Sequence, residues 1–491
     1  MSSVIRTAAR GTVMMMTAQV GLTLSAYVVA VILARELGPA LYGVYGIVYS
    51  FLLGVELIGR FGIPQAASKL IAERAERWPG LEGTGMTLTA MIYLALFAAF
   101  WLLAPWLAEL FHVAGGEDLF RIAALDIPFF GMYFICNHIL GGRRSFGLEA
   151  AGIGLYALSK VAGILVLLVV GVTVTGALLV NVFSSAVALA FTASWVGRTS
   201  FRPTFEFGSE LVRLGIPIGL FGVGSQILLS LDLWSLNAVG VLVSDEVKGW
   251  YVAATNVARI PNMVAFVMMA ILIPSISRAA AMNDPETVKR SVRGATRFLV
   301  VTLLPASALI AVEAEAILAV LFSASYSEGA FLLVILIFSH GLLYTLLLTA
   351  CAMLIAGGHA RSAAVVTLSV LPVALILNIV MIRTSGAVGA SLAALASIAI
   401  AASVAVALVH RRVAPLVVPR ELLLAIVTAA LIGALASWIR FEGPLLVVEL
   451  ALVMAAYAVA LVGFGLVRRE DLKLFLPVAG EERGGAPPAR P

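Results

Sequence analysis

The chain has 491 residues, of which 62% are hydrophobic and only 12% carry a charge, and its mean hydropathy is +1.06. So few charges cannot cover a water-exposed globular surface, and most of the chain must therefore lie in lipid. The net charge of +5 would point to nucleic acid in a soluble protein. Here the basic residues follow the loops between apolar stretches, as membrane topology dictates, which excludes a nucleic-acid-binding protein.

Apolar runs dominate the chain from end to end. A helix of about 20 residues crosses the hydrocarbon core of a bilayer, whereas the strands of outer-membrane barrels alternate over about 10 residues. The runs have the helical length, and they predict an all-α polytopic membrane protein with about fourteen transmembrane helices. In chain order the predicted spans are 12–34, 40–61, 86–108, 121–140, 149–171, 174–197, 213–234, 249–275, 297–321, 330–356, 362–382, 386–409, 420–439 and 444–467.

The basic residues are distributed unequally between the two sides of these spans. With the amino end taken as cytoplasmic, 24 of the 32 Lys and Arg residues fall in cytoplasmic loops and 5 in outer loops. An excess of this kind marks the cytoplasmic side. The sequence therefore predicts a multi-pass protein of the inner (cytoplasmic) cell membrane with both termini inside. The loops are too short for a folded extramembrane domain.

A weak internal repeat divides the chain. A shift of 210 residues carries Pro64, at the close of the second span, onto Pro274, at the close of the eighth. The same shift carries Gly176 onto Gly386. Transporters are often built from duplicated halves, although chance matches in a chain rich in Ala and Gly are the alternative. The predicted domains are a six-helix lobe at 1–198, a second six-helix lobe at 199–412, two additional helices at 413–479 and a disordered cytoplasmic tail at 480–491.

Several short motifs resemble those of a known family. The segment 37–43 (LGPALYG) is followed by an apolar run and then by 62–73 (GIPQAASKLIAE), and together they resemble the opening of polysaccharide flippases. These flippases belong to the multidrug/oligosaccharidyl-lipid/polysaccharide exporter superfamily. Similar motifs lie at 249–251 (GWY), 273–278 (IPSISR), 385–390 (SGAVGA) and 470–472 (EDL).

The resemblance implies a fold and a substrate. The fold would be two six-helix lobes around a central cavity that opens alternately to either side, with the last helix pair outside this core. The substrate would have a polyprenyl tail, a phosphate or pyrophosphate and an oligosaccharide head. The implied partners are this lipid-linked oligosaccharide, membrane lipids and other membrane proteins of polysaccharide assembly.

Ionisable residues inside the predicted spans are the candidate functional residues, because placing one in hydrocarbon costs at least about 2.5 kcal/mol. Glu56 and Arg60 lie four residues apart on one face of the second span, where they can pair. Beside a water-filled cavity Arg60 could bind a phosphate through two hydrogen bonds, with Glu56 holding it when the cavity is empty. The alternatives are a structural ion pair or an arginine that extends to the inner surface.

Arg259 is the foremost candidate for binding an anion. It lies in the middle of the eighth span, close to Asn256 and Asn262 and just before Pro261. A proline at this place leaves a backbone carbonyl without its helical partner and can break the helix. We expect Arg60 and Arg259 to contact the pyrophosphate, with Asn256 beside them, although a structural role for Arg259 is the alternative.

Three further charged residues lie in the spans. Lys160 in the fifth span could add to a cationic cavity, and Asp126 in the fourth could carry a coupling proton. The alternative is that Asp126 and Lys160 pair across helices. Asp232 is expected to lie near the outer surface, close to water.

Other functions are less consistent with these features. The two cysteines and five histidines have no metal-ligand spacing and no Gly-Lys phosphate loop is present, so we predict a transporter without metal or cofactor and not an enzyme. A drug or cation antiporter of the same superfamily would typically have twelve spans and a central carboxylate. A lipid II flippase, also with fourteen spans, is a closer alternative.

Overall fold

The structure is a computed structural model that describes residues 2–60, 62–74, 78–113, 115–197, 204–240, 243–415 and 419–438, and the single residues 452 and 457. Within these residues the chain is helical and has no strand, so the predicted all-α class is confirmed. The α-helices are α1 (Ser2–Arg60), α2 (Ile63–Glu73), α3 (Trp78–Leu110), α4 (Gly116–Ala124), α5 (Asp126–Gly142), α6 (Phe146–Val170), α7 (Val174–Val196), α8 (Gly208–Val239), α9 (Asp245–Ala258), α10 (Asn262–Ala281), α11 (Pro285–Val312), α12 (Ala314–Leu321), α13 (Ala330–Leu336), α14 (Tyr344–Ala356), α15 (Ala360–Ser369), α16 (Leu371–Arg412) and α17 (Pro419–Trp438).

Helix α1 is a hairpin of two membrane-length arms. Gly38, just before Pro39, has a φ of 71° and a non-helical ψ of 170°. Gln19 and Leu53 line the same cavity, although a straight helix would hold them about 51 Å apart. The chain therefore reverses at Gly38, where only glycine adopts the positive φ without strain.

Helix α16 reverses in the same way. Gly386 has a φ of 55° and a ψ of −131°. The two arms touch just beyond this turn, because a Cβ added to Gly389 would lie 1.8 Å from the carbonyl oxygen of Met381. Two residues eight apart in a straight helix would be separated by about 12 Å, so the segments before and after Gly386 are antiparallel.

The helical segments coincide with the predicted spans. Among the described residues, nine continuous helical stretches are long and apolar enough to cross a membrane. Counting both arms of the two hairpins, the broken helix α9–α10 and α17, thirteen helical segments occupy the places of thirteen predicted spans. The predicted span 444–467 and the tail 480–491 lie outside the described residues.

One apolar core joins the first and second halves of the chain. Helix α1 packs most extensively against α6 and α9, and its buried Leu33, Ile47 and Leu52 share a core with Leu236 and Tyr251. A second core lies within α8, α10, α11, α14, α15 and α16. Helix α17 packs chiefly against α11.

The bundle is closed at the end that carries the α1 turn, which we call the Gly38 end. A Cβ added to Gly249 of α9 would lie 1.9 Å from the Pro39 carbonyl oxygen, so α1 and α9 are in backbone contact. Arg35 donates to the carbonyl oxygens of the last residues of α12, and the Tyr326 hydroxyl donates to the Ala34 carbonyl at 2.8 Å. A cation at a helix carboxyl end is favourable because the last carbonyls carry partial negative charge.

The opposite end, which we call the Gly62 end, is closed as well. Gly62 and Gly215 of α8 meet so closely that a Cβ on either would lie about 3 Å from the backbone of the other. Arg74 donates both terminal nitrogens to Glu210, at 2.9 and 2.6 Å. In this conformation, contacts between the two halves of the chain therefore close the bundle at both ends.

Two local features of the second half position side chains. Between α13 and α14, residues Ile337–Leu343 form a π-helical segment.

At the start of α11, Asp284 accepts a hydrogen bond from the Thr287 amide at 3.0 Å. The hydroxyl and amide of Thr287 hold the pKa of this carboxyl below its usual value. The cap satisfies an amide that would otherwise lack a helical partner.

Candidate functional site

A cavity of about 320 Å³ lies between the two closed ends. Its walls come from both arms of α1, from α6 and from the facing surfaces of α8 and α9. Among the described residues, two basic side chains line it, Lys160 from α6 and Arg259 from the break that follows α9. The site therefore combines one cation from each half of the chain, although they are 99 positions apart.

Arg259 occupies the break that its neighbouring proline predicts. Helix α9 ends at Ala258 and α10 begins at Asn262. The Arg259 Nη2 donates to the Leu229 carbonyl of α8 at 2.6 Å, whereas its Nε is buried and has no partner among the described residues. A buried guanidinium N–H without an acceptor is unfavourable, so the arginine retains capacity to bind an anion.

Lys160 has more stabilising contacts than Arg259. It is only 5% exposed, and its ammonium donates to the Tyr49 hydroxyl at 2.8 Å and lies 4.7 Å from the Tyr49 ring centroid. It also lies 5.9 Å from the Tyr156 ring centroid. Aromatic faces attract a desolvated cation, so these rings stabilise Lys160 beside the cavity.

A row of tyrosines forms much of the remaining wall. Tyr42, Tyr45 and Tyr49 lie on one face of the second arm of α1. The ring centroids of Tyr42 and Tyr45 are 6.2 Å apart and those of Tyr45 and Tyr49 are 5.3 Å apart, and in both pairs the ring planes are nearly parallel. Tyr27 adds a fourth ring from the first arm. Asn256 donates to the Tyr42 hydroxyl at 2.8 Å, so this predicted site residue also lies on the cavity.

Two predicted acidic residues lie behind Lys160 and do not line the cavity. Glu56 and Asp126 are each 2% exposed, and their carboxyl groups lie close to each other, with Ser185 of α7 also beside Asp126. A carboxylate has no hydrogen to donate, so a hydrogen bond between two carboxyl groups requires a proton on one of them. Lys160 is close enough to interact electrostatically with Asp126.

Arg60 is the last residue of α1, and its side chain lies outside the described part of the structure. Its backbone nevertheless has a known depth. Gly43 and Gly46 of α1 pack on Gly249 and Val252 of α9, so the two segments run in parallel, and Leu53 and Arg259 line the same part of the cavity. Arg60 is seven residues further along, or about 10 Å, so the backbones of the two arginines lie at successive depths.

The sequence-based expectation for Asp232 is wrong. Asp232 is 1% exposed and accepts a hydrogen bond from the Tyr251 hydroxyl at 2.5 Å. The Nε2 of His340, in the π-helical segment, lies 3.5 Å from the same carboxylate oxygen. Asp232 is therefore buried in protein beside Arg259 rather than near water.

Sequence reasoning missed this network and the tyrosine row. The spacing of Tyr42, Tyr45 and Tyr49 places them on one helix face, and this signal was available. His340 and Asp232 have no such signal, because they are 108 residues apart and come together only through the packing of their helices. A π-helical segment, a feature frequent at functional sites, has no reliable local sequence pattern.

Comparison with known proteins identifies the family. Residues 8–280, more than half of the chain, match the model of the family described as "Polysaccharide biosynthesis protein". The chain belongs to this family. The resemblance seen in its motifs is thereby confirmed. A relative, the "Probable low-salt glycan biosynthesis flippase Agl15" of Haloferax volcanii, is 22% identical to this chain over 363 residues. The match covers 73% of this chain and 74% of the relative.

Solved structures share the fold of this family member. The lipid II flippase MurJ in an inward closed conformation has a TM-score of 0.76 at 14% identity, covering 93% of this chain and all of that one. An inward-facing multidrug transporter of the MATE family has a TM-score of 0.65 at 18% identity, covering 84% and 95%. A superfamily transporter from Pyrococcus furiosus, described as having a binding pocket of reverse polarity, has a TM-score of 0.59 at 17% identity, covering 87% and 96%.

Proposed function

We propose that this protein is a flippase that moves a polyprenyl-(pyro)phosphate-linked oligosaccharide from the cytoplasmic to the outer leaflet of the cell membrane. It would do so by alternating access, without changing any covalent bond of the lipid. The observation that carries the proposal is the cavity in which Lys160 and Arg259 face the same space from the two halves of the chain. Family membership and the glycan flippase relative support it.

The chemistry of the cavity fits a phosphate-bearing sugar lipid. Arg259, whose Nε has no hydrogen-bond partner among the described residues, would bind the phosphate through charge-assisted hydrogen bonds. Lys160 would add a second positive charge, and Asn256 and the tyrosine row would contact the first sugar. At about 320 Å³ the cavity is at the lower end of the ligand-pocket range, so we expect it to hold the phosphate and the first sugar, not the whole head group.

The other predicted residues have supporting roles in this proposal. Arg60, about 10 Å towards the Gly62 end, would meet the phosphate before or after Arg259. We expect the proton shared by Glu56 and Asp126 to couple transport to a proton gradient. We also propose that the Gly62 end faces the cytoplasm, as the distribution of Lys and Arg predicts.

Two alternatives remain within the same fold. A lipid II flippase would use the same phosphate chemistry, and the likeness to MurJ concerns the fold. A drug or cation antiporter is disfavoured, because a cationic drug entering the cavity would face Lys160 and Arg259 at short range in a medium that screens charge weakly.

The first prediction tests the function and Arg259 together. Purified protein in proteoliposomes is expected to move a fluorescent polyprenyl-pyrophosphate oligosaccharide across the bilayer. Loss of one charged hydrogen-bonding group in a buried site costs about 1.5 to 3 kcal/mol, so Arg259→Ala is expected to slow movement by about 10- to 100-fold.

The matched control is Arg121→Ala, which removes an arginine that pairs with Glu117 at 2.7 Å and does not line the cavity. It is expected to transport as the native protein does. Equal movement by Arg259→Ala and the native protein would refute the role of Arg259. No protein-dependent movement of this lipid or of lipid II, with export of small organic cations instead, would refute the flippase proposal in favour of an antiporter.

A further inference from the structure

A second set of buried polar groups lies directly behind Arg259 and is not used by the proposed transport cycle. Asp232, Tyr251 and His340 are all at most 1% exposed. The Leu229 carbonyl accepts hydrogen bonds from Arg259 at 2.6 Å and from the His340 Nε2 at 3.2 Å. His340 and Arg259 therefore share one acceptor, and any change in the state of the histidine acts next to the arginine.

The contacts determine where the proton of a neutral His340 lies. Its Nε2 faces two acceptors, the Leu229 carbonyl and the Asp232 carboxylate. In a neutral imidazole one nitrogen donates and the other accepts, so the proton is on Nε2. Nδ1 is then a buried acceptor, and it has no hydrogen-bond partner among the described residues. It is the position at which a second proton would bind.

The charges of this network balance when the cavity is empty. Asp232 carries one negative charge and Arg259 one positive charge, and the two interact electrostatically. The other titratable groups near Arg259 are the phenols of Tyr27, Tyr251 and Tyr344. Those phenols are uncharged at neutral pH, so a further positive charge among the described groups of this network would come from a second proton on His340.

A phosphate in the cavity upsets this balance. Its negative charge would compete with Asp232 for Arg259, in surroundings where an uncompensated charge is strongly unfavourable. A proton on His340 would form an ion pair with Asp232 across the 3.5 Å contact. Asp232 would then be neutralised by His340, and Arg259 would be available to the phosphate.

We propose that the Asp232–His340 pair is a proton-binding site whose occupancy sets how strongly Arg259 binds a phosphate-bearing lipid. His340 is thus a positioning residue that acts through Asp232 and Leu229. Because linkage is reciprocal, phosphate binding favours uptake of a proton by the pair, and loss of that proton favours release. This inference rests on the proposed function, since it assumes that an anionic lipid enters the cavity.

The experiment measures binding of farnesyl pyrophosphate to the full-length protein in lipid nanodiscs by titration calorimetry. The measurement is made from about pH 5 to pH 8, the interval in which histidine side chains change charge. For the native protein the affinity is expected to fall as pH rises, by at most about tenfold per pH unit for one linked proton. Repeating it in two buffers of different ionisation enthalpy gives the number of protons taken up.

Three variants identify the origin of the pH dependence. His340→Gln keeps an amide N–H donor but cannot gain a charge, so its affinity is expected to follow only the ionisation of the ligand, with no proton uptake by the protein. Asp232→Asn removes the competing charge and is expected to bind tightly with a similarly flat profile. His359→Gln is the control, because His359 lies between α14 and α15 and, in the part of the chain that the structure describes, has no hydrogen bond or ion pair with Asp232 or Arg259. It is expected to behave as the native protein does.

The possible outcomes are distinct. Loss of proton uptake by the protein in His340→Gln, with native behaviour in His359→Gln, supports the proposal. The same pH slope and proton uptake in His340→Gln or Asp232→Asn as in the native protein overturns it while leaving the flippase function intact. Absence of farnesyl pyrophosphate binding by the native protein at every pH overturns the phosphate site itself, and with it this inference.

Discussion

At the scale of single residues, each cation of the cavity has a buried carboxyl group behind it. Lys160 is near Asp126, and Arg259 is near Asp232. Buried charges are costly unless they are compensated. The two basic residues that line the cavity are therefore compensated by buried carboxyl groups on the side away from the cavity. This compensation allows them to remain in place when no substrate is bound.

This arrangement predicts non-additive stability at Lys160 and Asp126. Lys160→Met would leave the acidic pair without its cation, and Asp126→Asn would leave Lys160 with a weaker partner. Each single change is expected to lower the melting temperature of the detergent-solubilised protein. The double variant is expected to be more stable than the sum of the two effects by up to about 3 kcal/mol, the range found for interacting neighbours.

The exposed pair Lys289 and Glu286, whose charged atoms are 2.7 Å apart, provides the comparison. Because exposed pairs contribute about 0 to 1 kcal/mol, the corresponding single and double changes there should hardly alter melting. Strict additivity at Lys160 and Asp126 would show that the two side chains do not interact.

At this scale the sequence predicted part of the site. A charge inside an apolar run is visible without a structure, so Lys160, Arg259 and Asp126 could be identified. Which of them share a cavity could not be, because that depends on the packing of helices far apart in the chain. Asp232 is an example. Its position near the end of a predicted span indicated contact with water, whereas Tyr251 and His340, which come from other helices, bury it.

At the scale of helices, glycines set how closely segments approach. The reversal between the first two spans could be predicted because Gly38 and Pro39 interrupt an apolar run, and the break before Pro261 could be predicted for the same reason. The contact of Gly249 with Pro39 could not be predicted. A glycine that serves close packing looks the same in sequence as one that faces lipid.

Gly249→Ala is expected to loosen the Gly38 end. The added methyl would lie 1.9 Å from the Pro39 carbonyl oxygen, so the two helices must separate. Spin labels at Leu41→Cys and Glu246→Cys, both exposed, would report this separation as a longer and broader distance distribution.

Gly154→Ala is the control for this change, because a Cβ there meets no atom within 4 Å. It should leave the distance distribution unchanged and stabilise its helix by at most about 1 kcal/mol. An unchanged distribution in Gly249→Ala would mean that the contact does not determine closure of this end.

At the scale of the whole molecule, both ends are closed around a small cavity. Transport by alternating access requires each closure to open in turn. The contacts of the Gly38 end join α1 to α9 and α12, whereas the contacts of the Gly62 end join α2 to α8. The two closures use different helices, so one can open while the other remains shut.

Locking the Gly62 end is expected to abolish transport. Arg74→Cys and Glu210→Cys would replace a pair whose charged atoms are 2.6 Å apart, and a cleavable bifunctional thiosulfonate that cannot cross membranes would join them. Because we propose that this end is cytoplasmic, the reagent should react in inverted vesicles and not in intact cells. Reduction of the cross-link should restore transport.

The native cysteines should not interfere, since Cys136 and Cys351 are both buried. The control pair Glu117→Cys and Arg121→Cys lies within one helix, so joining it should leave transport unchanged, and it should react from the outside of intact cells. Reaction of the 74/210 pair from outside would reverse the proposed orientation. Continued transport by the cross-linked protein would show that the Gly62 end need not open.

The π-helical segment around His340 constrains which insertions and deletions this part of the chain can accept in evolution. A π turn contains one residue more than an α turn, so deleting one residue from Ile337–Leu343 would let the helix close into a regular α-helix. The helices before and after the deletion would keep nearly the same faces, because the π turn accommodates one extra residue without greatly rotating the helix that follows it. The side chain of His340 lies inside the wider turn, so its direction would change and it would leave Asp232. Among homologues that keep this histidine opposite an acidic residue, the length of the segment should thus be invariant even where its apolar residues are exchanged freely.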